Sequence, residues 1–280
     1  NMLRIGIIGA GDFGAAHARA IAQTSGVKLL AASRTNENAL HDFCQSFACT
    51  GYTNYQDLLN NADIDAVVIA TPHHLHTAIV EAAARAGKYI LLEKPMAPNL
   101  AECDQILRVV KEHQVQLMLG HVNHFVPAYS KAKEVLESGD LGEIVYAHST
   151  MSKAWMTPNR RDWHLDRSTG GGMWLTVGVH VLDQLCWLID APVGSISADI
   201  KTSFHDQQAD DTGVALLRFK NGVSATASTI GYKTGVFKFL TEIFCTKGVL
   251  KVSHRDGAFI GKDETWHKLA GSDASDFMAQ

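Results

Sequence analysis

The fold is decided by the opening stretch "LRIGIIGAGDFGAAHARAI" (3–21), in which a short apolar run leads through glycines into a segment with helical spacing. The glycines form the pattern G-x-G-x-x-G directly after the predicted strand and before the predicted helix. Gly9 permits the tight turn, Gly11 lets a pyrophosphate approach the backbone, and Gly14 lets the helix pack closely on the strand. The helix amides and dipole favour phosphate. The predicted cofactor contacts here are Gly9, Gly11, Asp12, Phe13 and Gly14.

The same alternation continues to about residue 122. Further apolar runs at 27–33, 65–71, 88–93 and 115–120 are separated by segments with helical spacing. Continuous Val/Ile/Leu strands between amphipathic helices indicate a parallel sheet that is covered on both faces. We therefore predict an α/β Rossmann domain, a doubly wound parallel sheet, over residues 1–122.

The end of the second apolar run predicts which nicotinamide cofactor is bound. An acidic residue here would accept hydrogen bonds from the ribose 2′-hydroxyl of NAD, but the sequence has Ser33 and Arg34. Arginine pairs well with phosphate, so we expect NADP(H), with Arg34 on the 2′-phosphate. The alternative is an exposed loop arginine in a protein that uses NAD(H).

The segment "TPHHLH" (71–76) follows the apolar run 65–71. Ligands bind in the crevice beyond the carboxyl ends of such strands, so this loop should border the nicotinamide. Thr71 is expected to cap the next helix, with Pro72 in its first turn. No acidic or cysteine partner lies at ligand spacing from the histidines, so we expect no metal. The predicted cofactor contacts are Thr71, Pro72, His73 and His76.

The segment "EKP" (93–95) ends another apolar run at the same edge of the sheet. A lysine in a partly dry cleft beside a cofactor can donate a proton or stabilise a developing alkoxide. We therefore expect Glu93 and Lys94 to lie at the cofactor. The alternative is a surface ion pair on a turn.

The segment "GGGMWLTVGVHVLDQLCWLID" (170–190) predicts a buried helix, because apolar residues cover most of its circumference. Its glycines are expected to let the preceding loop approach the substrate. Leaving a buried polar group unpaired costs about 1–3 kcal/mol, so a polar stripe must face polar protein, water or a cavity. His180 is then a core histidine bonded to Asp183 or a catalytic group, and EKP in the same chain favours catalysis. The polar residues of the stripe are Thr176, His180, Asp183 and Gln184.

The segments "GIIGAGDFGAAHARAI", "TPHHLH", "EKPMA" and "GGGMWLTVGVHVLD" together resemble the glucose–fructose oxidoreductase/inositol dehydrogenase (Gfo/Idh/MocA) family. The resemblance implies a Rossmann domain followed by an α+β domain with an open, mostly antiparallel sheet, which commonly forms the dimer or tetramer interface. It implies oxidation of a sugar or polyol hydroxyl, or reduction of the ketone. By resemblance Lys94 contacts substrate and nicotinamide, and His180 is the catalytic histidine.

The sequence departs from the family pattern in two places. The family aspartate four residues before the histidine is Thr176 here, and the family N-x-R-F segment reads "NHF" at 123–125. A carboxylate would orient the imidazole and raise its basicity, whereas threonine can only hydrogen-bond. We therefore count Thr176 with Lys94 and His180 as catalytic, and consider a less ordinary substrate, such as a cyclic dihydrodiol, or the reductive direction.

From about residue 143 the sequence becomes β-branched and alternating, which predicts an antiparallel sheet in an α+β domain over 123–280. The basic, aromatic loop 153–167 could clamp an acidic or ring-shaped substrate, although a solvated charged loop has the same composition. The chain ends at "SDFMAQ" without a further clear element. The predicted substrate contacts are Lys94, Asn123, Arg161, Trp163 and His180. The predicted strands lie at 143–152, 193–204, 211–220, 222–232 and 238–246.

The bulk properties exclude several classes of protein. The length of 280 residues corresponds to two domains, and a net charge of −4 argues against nucleic acid or an anionic membrane as partner. We expect no apolar run long enough to span a bilayer, and the start does not resemble a secretory signal. Five scattered cysteines favour free thiols and a cytoplasmic protein.

These observations favour an NAD(P)-dependent dehydrogenase or reductase that interconverts a secondary alcohol and a ketone. His180 would take the hydroxyl proton, and Lys94 would stabilise the oxyanion. Two alternatives stay open. One is a nicotinamide-dependent non-redox enzyme of the epimerase or glycosidase type, and the other is a non-catalytic NADP-binding sensor.

Overall fold

The computed structural model describes residues 2–158 and 160–272, and the chain divides into two units, 1–120 and 121–280. The boundary lies two residues before the predicted one. The first unit alternates strands with helices. Its strands are β1 (Leu3–Ile8), β2 (Val27–Ser33), β3 (Thr50–Tyr52), β4 (Ala66–Ile69), β5 (Tyr89–Leu92) and β6 (Leu117–Leu119). Its helices are α1 (Asp12–Gln23), α2 (Glu37–Phe47), α3 (Tyr55–Leu59), α4 (His76–Arg85) and α5 (Leu100–Glu112).

The six strands form one parallel sheet in the order β3-β2-β1-β4-β5-β6. This confirms the predicted doubly wound sheet, whose order reverses between β1 and β4. The strand that the sequence did not predict is β3. It has three residues, of which Thr50 and Gly51 are exposed, so no apolar run marks it.

Both faces of this sheet are buried, as its continuous apolar strands predict. Ile7 packs on one face with residues of α1 and α2, and Ile8 packs on the other face with residues of α4 and α5. The neighbouring residues of one strand thus join two separate cores. This arrangement holds the carboxyl end of β1 rigidly between two layers of helices.

The second unit carries a larger sheet and two main helices. A single π-helical turn (Trp174–Gly178) leads directly into α7. Its helices are α6 (Pro127–Glu137) and α7 (Val179–Ile189). Its strands are β7 (Ile144–Ala154), β8 (Val193–Lys201), β9 (Thr212–Phe219), β10 (Ser224–Tyr232), β11 (Lys238–Cys245), β12 (Gly248–Ser253), β13 (Gly257–Lys262) and β14 (Thr265–Ala270).

The eight strands lie in the order β14-β13-β12-β11-β7-β10-β9-β8, and every pair is antiparallel except β7 with β10. The predicted mostly antiparallel sheet is therefore confirmed. The sequence did not predict β12, β13 and β14. Each has only six residues, and lysines at 251, 262 and 268 interrupt their apolar pattern. The segment "SDFMAQ" lies outside the described residues.

One face of this sheet is covered and the other is open. Inward residues such as Met151, Leu217 and Ile243 belong to a buried core that also includes residues of α6 and α7. The opposite face carries half-buried polar and aromatic side chains. On it, Tyr146 Oη lies 2.7 Å from Thr226 Oγ1. Residues therefore alternate between core and open face, as they do in an antiparallel sheet with one solvated side.

One helical stretch of the described residues, Arg167–Ile189, is long and apolar enough to cross a membrane by length and composition alone. This differs from the expectation that no run reaches that length. The physical reason is burial: 61% of its most apolar window lies inside the protein, with Val181 and Leu185 fully buried in the core. The apolarity is that of a core helix.

Candidate functional site

The glycine turn after β1 is tight at one end and open in the middle. Gly9 has a φ of +100°, and a Cβ there would collide with the carbonyl oxygen of Ala70. A Cβ on Gly14 would collide with the carbonyl oxygen of Gly9, whereas a Cβ on Gly11 would meet no atom within 4 Å. The turn thus has a strained glycine, a packing glycine and a glycine that faces open space, which fits the three roles predicted for them.

The surroundings of the turn fit a dinucleotide phosphate. Helix α1 begins at Asp12 with no side-chain cap on its amides, and Asp12 and Phe13 are exposed on its first turn. Within the described residues, the buried Thr71 Oγ1 has no hydrogen-bond partner. It lies beside the turn, because a Cβ on Gly9 would come within 3.1 Å of Thr71 Cγ2. Uncapped amides and an orphaned hydroxyl are the donors that an anionic ligand requires.

Arg34 lies over the same turn. The carbonyl of Ser33 accepts hydrogen bonds from the amides of Gly9 and Ala10, at 3.0 and 3.1 Å. The exposed Arg34 side chain extends back to donate from Nη1 to the carbonyl of Ala10 at 2.9 Å. The guanidinium is therefore held at the end of β2, where the 2′-group of a bound ribose would lie.

The EKP segment is supported from α1. His17 Nε2 lies 2.8 Å from Glu93 Oε1, and Glu93 Oε2 accepts from the backbone amide of Lys94 at 3.2 Å. Burial alone would raise the pKa of Glu93, but the His17 hydrogen bond and the charge of Lys94 hold it below its usual value. Each carboxylate oxygen contacts the protein, so Glu93 supports Lys94, and its predicted contact with the cofactor stays a prediction.

Lys94 itself lies near the glycine turn. Its Nζ is 5.7 Å from the centroid of the Phe13 ring, and the Lys94–Pro95 peptide bond is cis. An ammonium at this distance from an aromatic face is weakly attracted to it. The structure therefore brings Lys94 of the EKP segment close to Phe13 of the glycine turn.

The segment "TPHHLH" differs from its prediction. A 3₁₀ turn (His73–Leu75) begins after Pro72 without a side-chain cap, so Thr71 is not the helix cap. His76 is fully buried, with Nδ1 2.9 Å from the Pro95 carbonyl and Nε2 3.0 Å from the Thr71 carbonyl. Burial lowers its pKa, although those carbonyls oppose the shift. His76 therefore joins two loops in place of the predicted cofactor contact.

The neighbouring His73 is also buried, and its ring lies 5.8 Å from that of His76. In the described parts of the chain, no group of three or more His, Cys, Asp or Glu residues could hold a metal ion. His73 and His76 are packed inside the first unit, whereas His74 is exposed.

In the second unit, Gly171 and Gly172 of the glycine run pack against their own chain. A Cβ on Gly171 would lie 2.6 Å from the Asp166 carbonyl oxygen, and one on Gly172, whose φ is +103°, would collide with the Asp210 carboxylate. Asp210 Oδ2 accepts from the amide of Trp174 at 2.7 Å. The space beside Gly171 and Gly172 is filled by carbonyls and by Asp210, and the expected approach of the preceding loop to the substrate stays a prediction.

The polar stripe is less regular than an ideal helix predicts, because Thr176 lies in the π turn and His180 in α7. Thr176, His180 and Gln184 are all buried. The Gln184 amide has no hydrogen-bond partner among the described residues. Asp183, the alternative partner of His180, lies 2.9 Å from His124 Nε2 through Oδ2. The carboxylate of the stripe is thus engaged by a histidine from another segment.

A second histidine shares that carboxylate. His121 Nδ1 lies 3.5 Å from the same Asp183 oxygen, and the His124 ring stacks on Trp187 with centroids 4.1 Å apart. His124 stands in the segment where the sequence departs from the N-x-R-F pattern, and His121 lies two residues before that segment. Through Asp183 and Trp187, both histidines connect this part of the chain to α7.

The predicted substrate residues have different environments. Arg161 is exposed, and its Nη1 donates to the Pro158 carbonyl at 3.0 Å, within its own loop. Trp163 stacks on His164 at 3.6 Å between centroids. Asn123 is buried, and neither atom of its amide has a hydrogen-bond partner in residues 2–158 and 160–272. Asn123 therefore has the unsatisfied donors and acceptor of a ligand contact, whereas Arg161 is tied to the loop.

Sequence reasoning missed several residues that shape these sites. His17 is a lone polar residue on the partly buried side of α1, which was an available signal. The others are recognisable only from contacts between segments distant in sequence. The missed residues are His17, His121, His124 and Asp210. Arg160 belongs to the basic loop 153–167 but was not among the predicted substrate contacts.

Two family models match the chain. The model described as oxidoreductase family, NAD-binding Rossmann fold, covers residues 3–121, and the GFO/IDH/MocA C-terminal domain covers residues 129–251. The chain is 31% identical over 231 residues to the 1-carboxy-3-chloro-3,4-dihydroxycyclohexa-1,5-diene dehydrogenase of Comamonas testosteroni. That match covers 82% of this chain and 58% of the relative.

The myo-inositol 2-dehydrogenase of Thermotoga maritima is 27% identical over 257 residues, covering 88% of this chain and 74% of that protein. The WlbA dehydrogenase of Bordetella pertussis, solved with NADH and UDP-GlcNAcA, has a TM-score of 0.86 and 26% identity, covering 95% of this chain and 78% of that one. This chain thus spans about half to three-quarters of the length of the curated relatives it matches. It belongs to the Gfo/Idh/MocA family of NAD-binding oxidoreductases.

Proposed function

We propose that the protein is an NAD(P)-dependent oxidoreductase that interconverts a secondary alcohol and a ketone on a sugar, a polyol or a related cyclic alcohol. The observation that carries the proposal is the support of Lys94: a buried Glu93, held by His17, fixes the lysine beside an open glycine turn. The names of the inositol and dihydroxycyclohexadiene dehydrogenases support this class of substrate.

The residues of the proposed site have separate roles in the reaction. When bound, the nicotinamide would accept the hydride from the carbinol carbon. The glycine turn, the start of α1 and Thr71 would hold the dinucleotide. His180 takes the hydroxyl proton as the carbon–hydrogen bond breaks, and Lys94 stabilises the negative charge on the oxygen. In the reductive direction, His180 returns the proton to the alkoxide oxygen.

The test is single-turnover stopped flow with a substrate that the wild type oxidises, monitoring the absorbance of reduced nicotinamide. Lys94→Ala and His180→Ala are each expected to slow hydride transfer at least 100-fold, the usual range for a positioned acid–base group. Lys111→Ala, in the last turn of α5, is the control and should keep the wild-type rate. Near-wild-type hydride transfer in both active-site variants would exclude these roles.

We further propose NADP(H) as the preferred cofactor. The support is Arg34, a cation held over the glycine turn at the end of β2, with no acidic residue in its place. Dissociation constants for NADP⁺ and NAD⁺ are to be compared for the wild type and Arg34→Ala. We expect the variant to lose NADP⁺ affinity roughly 10-fold or more while NAD⁺ affinity stays close to wild type. An unchanged ratio would reject the assignment.

A substitution at Thr176 tests whether the protein is an enzyme or a cofactor-binding sensor. A threonine in place of the family carboxylate supplies no negative charge beside His180, which favours reduction or an activated substrate such as a cyclic dihydrodiol. Thr176→Asp is expected to raise oxidation rates of simple polyols in an enzyme. A sensor would bind the cofactor, show no turnover over a broad panel of polyols, keto-sugars and dihydrodiols, and gain nothing from the change.

We also propose that the protein is cytoplasmic and forms a dimer or tetramer through the open face of the second sheet. The half-buried Tyr146 and Phe244, whose rings lie 5.9 Å apart on the open face, support the oligomer interface. The five free cysteines support a cytoplasmic location. Light scattering is expected to show an oligomer that Phe244→Glu dissociates. A wild-type monomer would reject the interface.

A further inference from the structure

Arg160 is the arginine of the substrate loop that the fold holds most firmly. Its guanidinium carbon lies 4.2 Å from the ring centroid of Trp155, and its Nε donates to the Trp155 carbonyl at 2.9 Å. Trp155 is fully buried. The side chain is thus fixed against a rigid aromatic surface, and only its Nη edge remains to bind another group.

No anion of the residues that the structure describes satisfies that edge. Among the described residues, Arg160 has no ion pair and its Nη atoms donate to no acceptor, whereas Arg4 forms ion pairs with Asp63 and Asp65. Burial lowers the pKa of Arg160 to about 10. A half-buried guanidinium with no counter-charge is costly, and a bound anion would repay that cost.

Hydrogen bonds connect this arginine to the start of the helix that bears His180. Trp155 Nε1 donates to Gln207 Oε1 at 3.0 Å, and Gln207 Nε2 donates to the Asp210 carbonyl at 3.1 Å. Asp210 in turn receives the amide of Trp174, six residues before His180. Arg160 is therefore joined, entirely within the second unit, to the element that positions the catalytic histidine.

We propose that Arg160 binds a carboxylate of the substrate, so that the protein acts on a hydroxy acid. This proposal rests on the proposed function. A planar guanidinium with one face stacked presents two parallel N–H groups, which match the two oxygens of a carboxylate. One uncompensated positive charge also matches a singly charged carboxylate better than a doubly charged phosphate ester. The neighbouring Arg161 is exposed and donates to its own loop, so it adds no second site.

The test measures binding, so that it does not depend on turnover. Cofactor-loaded protein is titrated by calorimetry with acids and their neutral counterparts: shikimate and its methyl ester, D-glucuronate and D-glucose, and benzoate and benzyl alcohol. We expect wild-type protein to bind at least one acid roughly 10- to 100-fold more tightly than its partner, the range for hydrogen bonds to a charged group. Arg160→Gln should abolish this preference.

Arg161→Gln is the matched control on the same loop and should keep the preference, while Arg160→Lys should keep only part of it because it lacks the planar fork. If Arg160→Gln fails to fold, sulfate titrated into wild-type protein should weaken binding of the acid and leave its neutral partner unaffected. Equal binding within every pair, no binding of any acid, or a preference that survives in Arg160→Gln would overturn the proposal. Lys94→Ala should retain the acid preference, so a failed hydride-transfer test and a failed binding test are distinguishable.

Discussion

Two glycine-rich turns in this protein resemble each other in sequence, but their glycines face different surroundings. In the first unit, Gly11 faces open space, so the backbone of the turn is accessible to a ligand. In the second unit, Gly171 and Gly172 face the chain's own carbonyls and the Asp210 carboxylate. Both turns precede a helix. A glycine run thus indicates that another group comes close to the backbone at that point. Only the structure shows whether the space beside the glycine is filled by the protein itself or is open to a ligand.

The largest expected effect on stability comes from adding a side chain at Gly172, in the crowded turn of the second unit. Gly172→Ala places a Cβ against the Asp210 carboxylate in a backbone conformation that alanine rarely adopts, so we expect a loss of about 2–5 kcal/mol in the free energy of unfolding. Gly222→Ala is the matched control, since its φ is +93° but its Cβ would meet nothing within 4 Å. It should lose only about 1–2 kcal/mol. Urea unfolding measures both, and equal losses would show that crowding at Gly172 is unimportant.

A smaller but more specific effect is expected at the open turn. Gly11→Ala adds a methyl group where the pyrophosphate backbone contact is proposed, so the dissociation constant for NADP⁺ should rise roughly 10- to 100-fold. The free energy of unfolding should stay within about 1 kcal/mol of wild type, because the Cβ meets no protein atom. Fluorescence titration measures the NADP⁺ affinity, and urea unfolding measures the free energy of unfolding. Unchanged NADP⁺ affinity would mean that the open space is not the phosphate site.

The contact between Asp210 and the helix start is expected to contribute about 1–2 kcal/mol, as a side-chain cap does. Asp210→Ala removes the acceptor for the Trp174 amide, whereas Asp210→Asn keeps an oxygen there and should lose less. In a double-mutant cycle, Asp210→Ala should also relieve part of the Gly172→Ala penalty, because the colliding carboxylate is gone. Strict additivity of the two changes would contradict the proposed collision.

The smallest effect is a pH dependence at the same residue. Burial raises the pKa of Asp210 above its ordinary value of 3.8, although the Trp174 amide opposes the shift. A raised folded-state pKa means that the protonated carboxyl stabilises the fold at low pH and that this contribution is lost as pH rises through the folded-state pKa. The stability of the wild type relative to Asp210→Asn should therefore fall from about pH 4 upward. If the difference in stability between the wild type and Asp210→Asn does not change between pH 4 and 7, the Asp210 carboxylate lies in a more polar environment than the structure indicates.

The fold was predictable where local pattern dominates. The strands of the first sheet follow apolar runs, and β7 to β11 follow β-branched alternation, since burial imposes those periods on the chain. The exceptions have a common cause. The three residues of β3 and the lysine-interrupted β12 to β14 are held by pairing with neighbours, and their own sequence carries too few apolar positions to show it.

The candidate site was predictable by residue type but not by contact. Lys94 and His180 stand out because their motifs place polar groups next to buried elements. The bond from His17 to Glu93 spans 76 residues, and Asp210 reaches Trp174 across 36 residues, so no local pattern encodes either one. The adjacent Arg160 and Arg161 are equivalent in sequence, and only the packing of Arg160 on Trp155 distinguishes them in the structure.

The single parallel pair in the second sheet has a consequence for synthesis. Strand β7 lies between β10 and β11, whose residues follow it by 70 positions or more, so the centre of that sheet cannot close until residue 245 has left the ribosome. The first unit has its last strand at residue 119 and can form its sheet much earlier. Because domains generally fold as units in the order of synthesis, we expect the nucleotide-binding unit to fold first, while the strand that will lie at the centre of the second sheet waits unpaired.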